Sequence, residues 1–430
     1  MAITKKQTPW SWIPTLYFAQ GIPYMVVMTV SVIMYKRLDV SNADIALYTS
    51  WLYLPWVIKP LWSPFIDLFK TKRWWVVIMQ LLVGAGLAGV AFTLPLPNFF
   101  QYSLAFLWLM AFSSATHDIA ADGLYMLGLD DGQQSYFIGI RSTFYRFSMI
   151  AGQGLLVILA GYLETRSENT PLAWSLTFLL LAIVFLGFFI YHKFFLPRPV
   201  TDVPAIQEDG RGVLYEFFQT FGSFFRKDNI IPAVGFILLF RLGEAQLLKL
   251  AAPFMLDARE IGGLGLTTSE VGLIYGTIGM LALTIGGIIG GLMASKYGLK
   301  FWILPMTFAI NLPNLMYVYL SYVMPQSFWL ISASVALEQF GYGFGFTAFM
   351  LYMIYFSEGK HKTAHFAICT GLMALGMMLP GMISGWIQEM VGYSNFFIWV
   401  LICALPGLVI IRFLKIKKSF GIKVKEKDIP

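Results

Sequence analysis

Nine charged side chains interrupt stretches that are otherwise apolar: Lys59, Asp118, Asp122, Arg141, Arg146, Arg241, Glu244, Lys249 and Glu338. In hydrocarbon each costs at least about 2.5–3.5 kcal/mol at a helix centre, so such groups face protein or water and find partners. Asp118 and Asp122, within "SSATHDIAAD", are four residues apart and share a helix face. The chain reverses near Gly132, and reflection through that turn sets Asp118 level with Arg146 and Asp122 level with Ser142, beside Arg141. Two chemistries fit this group: a static ion-pair clamp, or a proton relay in which a protonated carboxylate releases Arg146. His117 could assist a relay, but a lone histidine in such a place reads more readily as a packing residue.

Arg241 and Glu244, in "LLFRLGEAQLLKLAAPF", are three apart and lie near the middle of another apolar run. Glu338 reaches the same depth in "SVALEQFGYGFGFTAFM". One guanidinium and two carboxyls at one depth either pair structurally or hold a solute with anionic and hydroxyl groups. Enzyme chemistry has no comparable footing. There is no H-E-x-x-H and no G-x-S-x-G, and His361 and His365 have no third metal ligand. No enzyme, cofactor or metal is expected.

The elements that position these groups follow from composition. Of 430 residues, 58% are hydrophobic, 17% aromatic and only 12% charged, against about 25% charged in soluble domains. Mean hydropathy is +0.69. The chain is therefore expected to be an all-α integral membrane protein lying in the lipid bilayer. Tryptophans such as Trp10, Trp12, Trp74 and Trp75 sit at the edges of apolar runs, where amphipathic rings meet headgroups. The opening "MAITKKQTPWSW" lacks a cleavable leader pattern, so the first run is expected to be retained. Cys369 and Cys403 both lie in apolar runs and make no disulfide framework. The net charge of +7 comes without a basic patch interleaved with aromatics, which argues against a nucleic-acid partner.

Windows of about 20 apolar residues fall at 11–34, 44–66, 74–95, 101–128, 137–162, 171–195, 230–256, 268–291, 300–321, 327–354, 362–387 and 394–416, twelve in all. With the N-terminus inside, twenty-one Lys and Arg fall on inner segments and four, Lys36, Arg37, Arg166 and Arg259, on outer ones. That asymmetry predicts cytoplasmic termini. The expected organisation is a six-helix bundle over 1–195, a cytoplasmic linker at 196–229, a second bundle over 230–416 and a basic tail at 417–430. A monomer is expected.

The halves echo one another. "VSNADIALYTS" aligns with "TTSEVGLIYGT", and both Ser41-x-x-Asp44 and Thr267-x-x-Glu270 begin like capping boxes. "SPFIDLFKTKRW", with Asp67, Lys72 and Arg73, aligns with "GGLMASKYGLKFW", which carries Lys300. Two pseudo-symmetric bundles of six transmembrane helices resemble the major facilitator architecture, and these loops look like that superfamily's cytoplasmic loop motif. The resemblance implies that the first, fourth, seventh and tenth spans line a central cavity. Those spans carry Gln20 and Tyr24, then Asp118 and Asp122, then Arg241 and Glu244, then Glu338.

Longer segments resemble the AmpG-type permeases of the peptide/acetyl-coenzyme A transporter group. They are "YFAQGIPYMV", "LPWVIKPLWSPFID", "THDIAAD", the Tyr145–Arg146 pair, "RLGEA…PFML" and "EQFGYGFGFTAFMLYM" through "LPGMISGW". The resemblance implies proton-driven import of anhydro-muropeptide across the inner membrane by alternating access. On that reading Arg241, Glu244, Glu338, Gln20, Tyr24, Lys59 and Lys249 contact the small-molecule substrate. Asp118, Asp122, Arg146, Arg141 and His117 carry protons or gate. Tyr24, Tyr48, Tyr145, Tyr342 and Phe344 would suit stacking on sugars. The same group includes carriers of siderophores and acetyl-coenzyme A, so another large anionic solute stands as the alternative.

Overall fold

Backbone amides in long apolar runs can be satisfied only within the segment itself, and all regular structure among the described residues is helical. The computed structural model describes residues 8–203, 219, 221–359 and 362–422, without the side chains of 64, 67, 68, 131, 135 and 363. Residues 204–218 and 220 of the linker expected at 196–229, and the end of the basic tail from 423, lie outside the described residues.

The chain divides into two compact units, Met1–Asp39 with Ile58–Phe217 and Val40–Val57 with Phe218–Pro430. The first holds α1 (Pro9–Arg37), α4 (Lys72–Thr93), α5 (Phe99–Gly128), α6 (Gly132–Ser167) and α7 (Thr170–Phe195). The second holds α2 (Asn42–Trp51), α8 (Ile230–Leu239) and α9 (Leu242–Leu256). It continues with α10 (Thr268–Tyr297), α11 (Leu299–Val323), α12 (Phe328–Phe356), α13 (Lys362–Ile402) and α14 (Leu405–Ile410). Helix α3 (Leu54–Leu68) contributes residues to both units. Nine helices among the described residues are long and apolar enough to cross a membrane. Each apolar window of the sequence falls on a helix or a consecutive pair.

Helix starts are fixed by their caps. Ser41 Oγ accepts from Asp44 N at 3.1 Å, and Thr267 and Glu270 close a full capping box, as expected. Asp130 and Gln133 form another at the α5–α6 turn. Such caps satisfy amides that the first helical turn leaves unpaired.

In the first unit α4 packs along α5 and α7, and α1 along α6. Trp12, Leu16, Tyr17, Val76, Ala120 and Leu124 form its buried centre. Helices α1 and α6 each open into a wide π turn, at Val26–Val30 and Ala151–Leu155, and these turns meet.

In the second unit α12 lies between α10 and α11, and α13 packs against α2 and α9. Helix α13 is two passes joined at Gly392, whose φ of 74° is open to glycine at little cost. Before that glycine, His365 meets Ser223 below the start of α8, and the backbone at Gly381 meets Ala245 and Lys249 of α9. After it the order inverts: Tyr393 meets Asp257, Val400 meets Gly243, and Ile410 meets Gly235. The apolar side chains Ile285, Ile288 and Leu292 form an exposed stripe on α10 suited to lipid.

Close approach of α10 and α12 depends on small residues. A Cβ on Gly343 would stand 1.9 Å from Leu283 O, and one on Gly286 would stand 2.2 Å from Phe340 O. Gly343→Val is therefore expected to cost about 1–3 kcal/mol by overpacking. Denaturant unfolding in detergent measures this, and an unchanged midpoint would contradict the close helix contact.

Candidate functional site

The seventh apolar run does not fold as one rod. Helix α8 ends at Leu239 and α9 begins at Leu242, with Arg241 in the gap at φ −109° and ψ 22°. Breaks of this kind at membrane depth are tolerated where the freed backbone is enclosed by protein or lines a cavity. Arg241 donates through Nη2 to the Tyr342 hydroxyl, and its guanidinium lies 5.0 Å from the ring centroids of both Tyr342 and Phe346. Cation–π contact partly replaces the hydration this charge has lost. Glu244 follows in the first turn of α9, where the helix dipole favours an acid.

Two acids share this neighbourhood. Glu244 and Glu338 are each only 1% exposed. Gln339 Nε2 donates to Glu338 Oε2 at 3.0 Å. Among the described residues no donor reaches Glu338 Oε1 or either oxygen of Glu244. The charge of Arg241 acts on Glu244, and that of Glu244 on Glu338. The phenols of Tyr275 on α10 and Tyr317 on α11 lie within the field of both acids. Farther along α9, Lys249 is 2% exposed, donates to Thr49 Oγ1 at 2.9 Å and lies 5.2 Å from the Tyr53 ring centroid.

The first unit holds a second polar group. Asp122 pairs with Arg141 at 3.0 Å and accepts from the Tyr17 hydroxyl at 3.1 Å. Arg141 also lies over the rings of Tyr17 and Tyr125, at 4.5 and 4.9 Å. Asp118 meets Lys59 of α3 at 3.4 Å. The level expected from the sequence would have put Arg146 opposite Asp118. Instead α3 brings an amine to Asp118, and Arg146 makes no ion pair among the described residues. His117 joins a buried hydrogen-bond chain: its Nε2 is 3.0 Å from Gln80 Nε2, Gln80 Oε1 is 2.9 Å from His192 Nδ1, and His192 Nε2 is 3.0 Å from Thr15 Oγ1. On α1, Gln20 is buried with its Oε1 unbonded among the described residues, and Tyr24 is half-buried.

At the start of α4, Asp202 accepts from the backbone amides of Lys72 and Arg73 at 2.7 and 3.1 Å, an anion seated on a helix N-terminus. Arg73 Nε reaches Leu196 O at 3.4 Å, and its Nη2 donates to Lys193 O. Lys300 is exposed at the start of α11. The Asp67 side chain lies outside the described residues.

The sequence reading passed over Gln80, His192, Gln339, Thr49, Tyr275 and Tyr317. Gln80 and His192 carry a usable signal, being polar residues deep in apolar windows. Thr49 and the tyrosines carry none, because such residues are common in membrane helices.

Comparison with known proteins agrees with this geometry. The family description of the Major Facilitator Superfamily matches residues 15–323. The putative transporter AmpG 4 of Rickettsia felis is 27% identical over 419 residues, covering 94% of this chain and 95% of that protein. The anhydromuropeptide permease of Escherichia coli K12 is 26% identical over 403 residues, covering 92% of this chain and 77% of that protein. In solved structures the chain is similar in fold to the nucleoside transporter NupG, at TM-score 0.68 and 15% identity over 93% of this chain and 97% of the other. A D-xylose–proton symporter gives TM-score 0.70 at 12% identity, over 96% and 99%.

Two measurements probe the energetics of these groups. The Asp122 and Arg141 side chains are 42% and 27% exposed, so a double-mutant cycle of Asp122→Asn and Arg141→Gln should give a coupling of only about 0.2–1 kcal/mol. A coupling several times larger would mean that the pair is desolvated. Lys249→Met should raise the unfolding midpoint in detergent, since a methionine fills the same space without a buried ammonium held by one hydroxyl. A lowered midpoint would contradict that.

Proposed function

Because the chain belongs to the Major Facilitator Superfamily, whose members are membrane transporters, we propose that it is a proton-coupled importer of anhydro-muropeptide or a closely related cell-wall saccharide. The observation that carries this reading is the similarity to AmpG-type proteins over more than nine-tenths of the chain. The site chemistry supports it. Muropeptides carry carboxylates and many hydroxyls, and Arg241 offers a guanidinium that donates to one phenol and lies over two rings. A guanidinium is the side chain best suited to bidentate contact with a carboxylate.

In this proposal Arg241 binds a substrate carboxylate, while Glu244, Glu338 and Lys249 serve hydroxyl and amide groups. A substrate-binding role is proposed in the first unit for Gln20, Tyr24 and Lys59. Asp118, Asp122, Arg141, Arg146 and His117 form the gating or proton-handling group, and the ion pairs of both aspartates favour a gate that opens when a pair is released. Asp67, Lys72, Arg73 and Lys300 belong to the two cytoplasmic loops. The protein works as a monomer in the cytoplasmic membrane with both termini inside, in keeping with its Lys and Arg distribution. Substrate moves by alternating access.

The test is uptake of labelled anhydro-muropeptide by proteoliposomes under an imposed pH gradient. Accumulation should collapse with a protonophore and fall at least about tenfold in Arg241→Gln, the scale of one lost charge-assisted contact. Uptake indifferent to the protonophore would rule out proton coupling, and unchanged uptake in Arg241→Gln would remove Arg241 from the substrate site.

A further inference from the structure

Two buried acids of the second unit lack, among the described residues, the donors that ionised carboxylates need. Around the break at Arg241 stand two carboxyl groups, Glu244 and Glu338, and one guanidinium. Arg241 lies three residues before Glu244, at the cap of the same helix. Lys249, also buried, donates to Thr49 Oγ1 and lies over the Tyr53 ring. The other titratable neighbours are phenols: Tyr275 from α10, Tyr317 from α11, Tyr342 from α12 and Tyr53 beyond α2.

A buried ionised carboxylate needs donors or a counter-charge. Glu338 has one amide donor, from Gln339, and a second oxygen that no described residue serves. Glu244 has no donor among the described residues and has Arg241 at the cap of its own helix, three residues before it. Neutrality of the cluster is reached when a single proton is shared by the two acids.

We infer that Glu244 and Glu338 are the site at which the transported proton is carried, with Arg241 as the switch that sets how many protons the pair holds. Without solute, Arg241 balances one carboxylate and the other is protonated. When an anionic group of the solute binds Arg241, that carboxylate loses its counter-charge and takes up a second proton from water. Release of the solute returns the guanidinium and expels that proton. Each anionic group bound at Arg241 thus brings a single proton with it. This moves the coupling proton away from the aspartates of the first unit, whose charges are already matched by Lys59 and Arg141. The inference rests on the proposed carrier of anionic saccharide, and it adds the location and number of the coupled protons.

Infrared difference spectroscopy on the purified full chain tests it, because a protonated carboxyl gives a carbonyl stretch separate from amide and carboxylate bands. Without solute, the wild type should show one such band at neutral pH. The band should be lost in Glu338→Gln or Glu244→Gln and kept in Asp118→Asn, with thermal melting confirming that each variant is folded. Absence of the band in the wild type, or its survival in both glutamate variants, would overturn the proton site. Adding anhydro-muropeptide should produce a second band of similar area, and proteoliposomes should take up a single proton per solute carboxylate held at Arg241. Binding without a second band would overturn the switch. If anhydro-muropeptide does not bind at all, the substrate reading fails, and the solute-free band still decides the proton site by itself.

Discussion

A guanidinium cannot occupy the middle of a hydrocarbon slab unless the surrounding protein supplies what water would. At Arg241 the supply is one hydroxyl, two aromatic faces and the negative field of Glu244. Meeting that need dictates much of the second unit. Helix α12 must carry Tyr342 and Phe346 to the guanidinium and Glu338 one turn before Tyr342, and its glycine contacts with α10 permit this close packing. The seventh run must break where the arginine stands, so that Arg241 caps α9, accepting from Ala245 N at 2.8 Å, and Glu244 enters its first turn. Chain topology, helix packing and charge placement here serve a single desolvation problem.

The two units solve the problem of membrane charge differently. In the first, each aspartate has a cation of its own, and Arg141 is further held between Tyr17 and Tyr125. Those pairs are partly exposed, so each is individually weak and can open without a large loss. In the second, the acids are almost fully buried, and among the described residues three of their four oxygens have no hydrogen-bond partner. Matched, accessible pairs suit an element that opens and closes. An unmatched, buried cluster suits one that changes its occupancy by protons and anions.

Much of this was legible in the residues themselves. Composition and apolar window length predict the helical membrane fold, because hydrocarbon leaves the backbone no other solution. The caps at Ser41 and Thr267 were readable from spacing. The placing of Arg241, Glu244 and Glu338 well inside apolar runs was readable by counting. Partner choice was less readable. Reflection through a turn gives level but not azimuth, so Asp118 was set opposite Arg146, whereas Lys59 on the short helix α3 reaches it. The break at Arg241 and the phenols around the acids were not legible, because leucine-rich sequence on either side gives no stop signal and tyrosine is abundant throughout. The residues that define the site chemically were visible, and those that tune it were hidden among packing residues.

The central claim is that Arg241 receives an anionic group of the transported solute. A structure determined with bound anhydro-muropeptide tests it most directly. A carboxylate of the sugar or its peptide should then lie within hydrogen-bond distance of the Arg241 guanidinium, with the Tyr342 hydroxyl released from it. A bound solute whose carboxylates lie elsewhere, with Arg241 still hydrogen-bonded to Tyr342, would contradict the account.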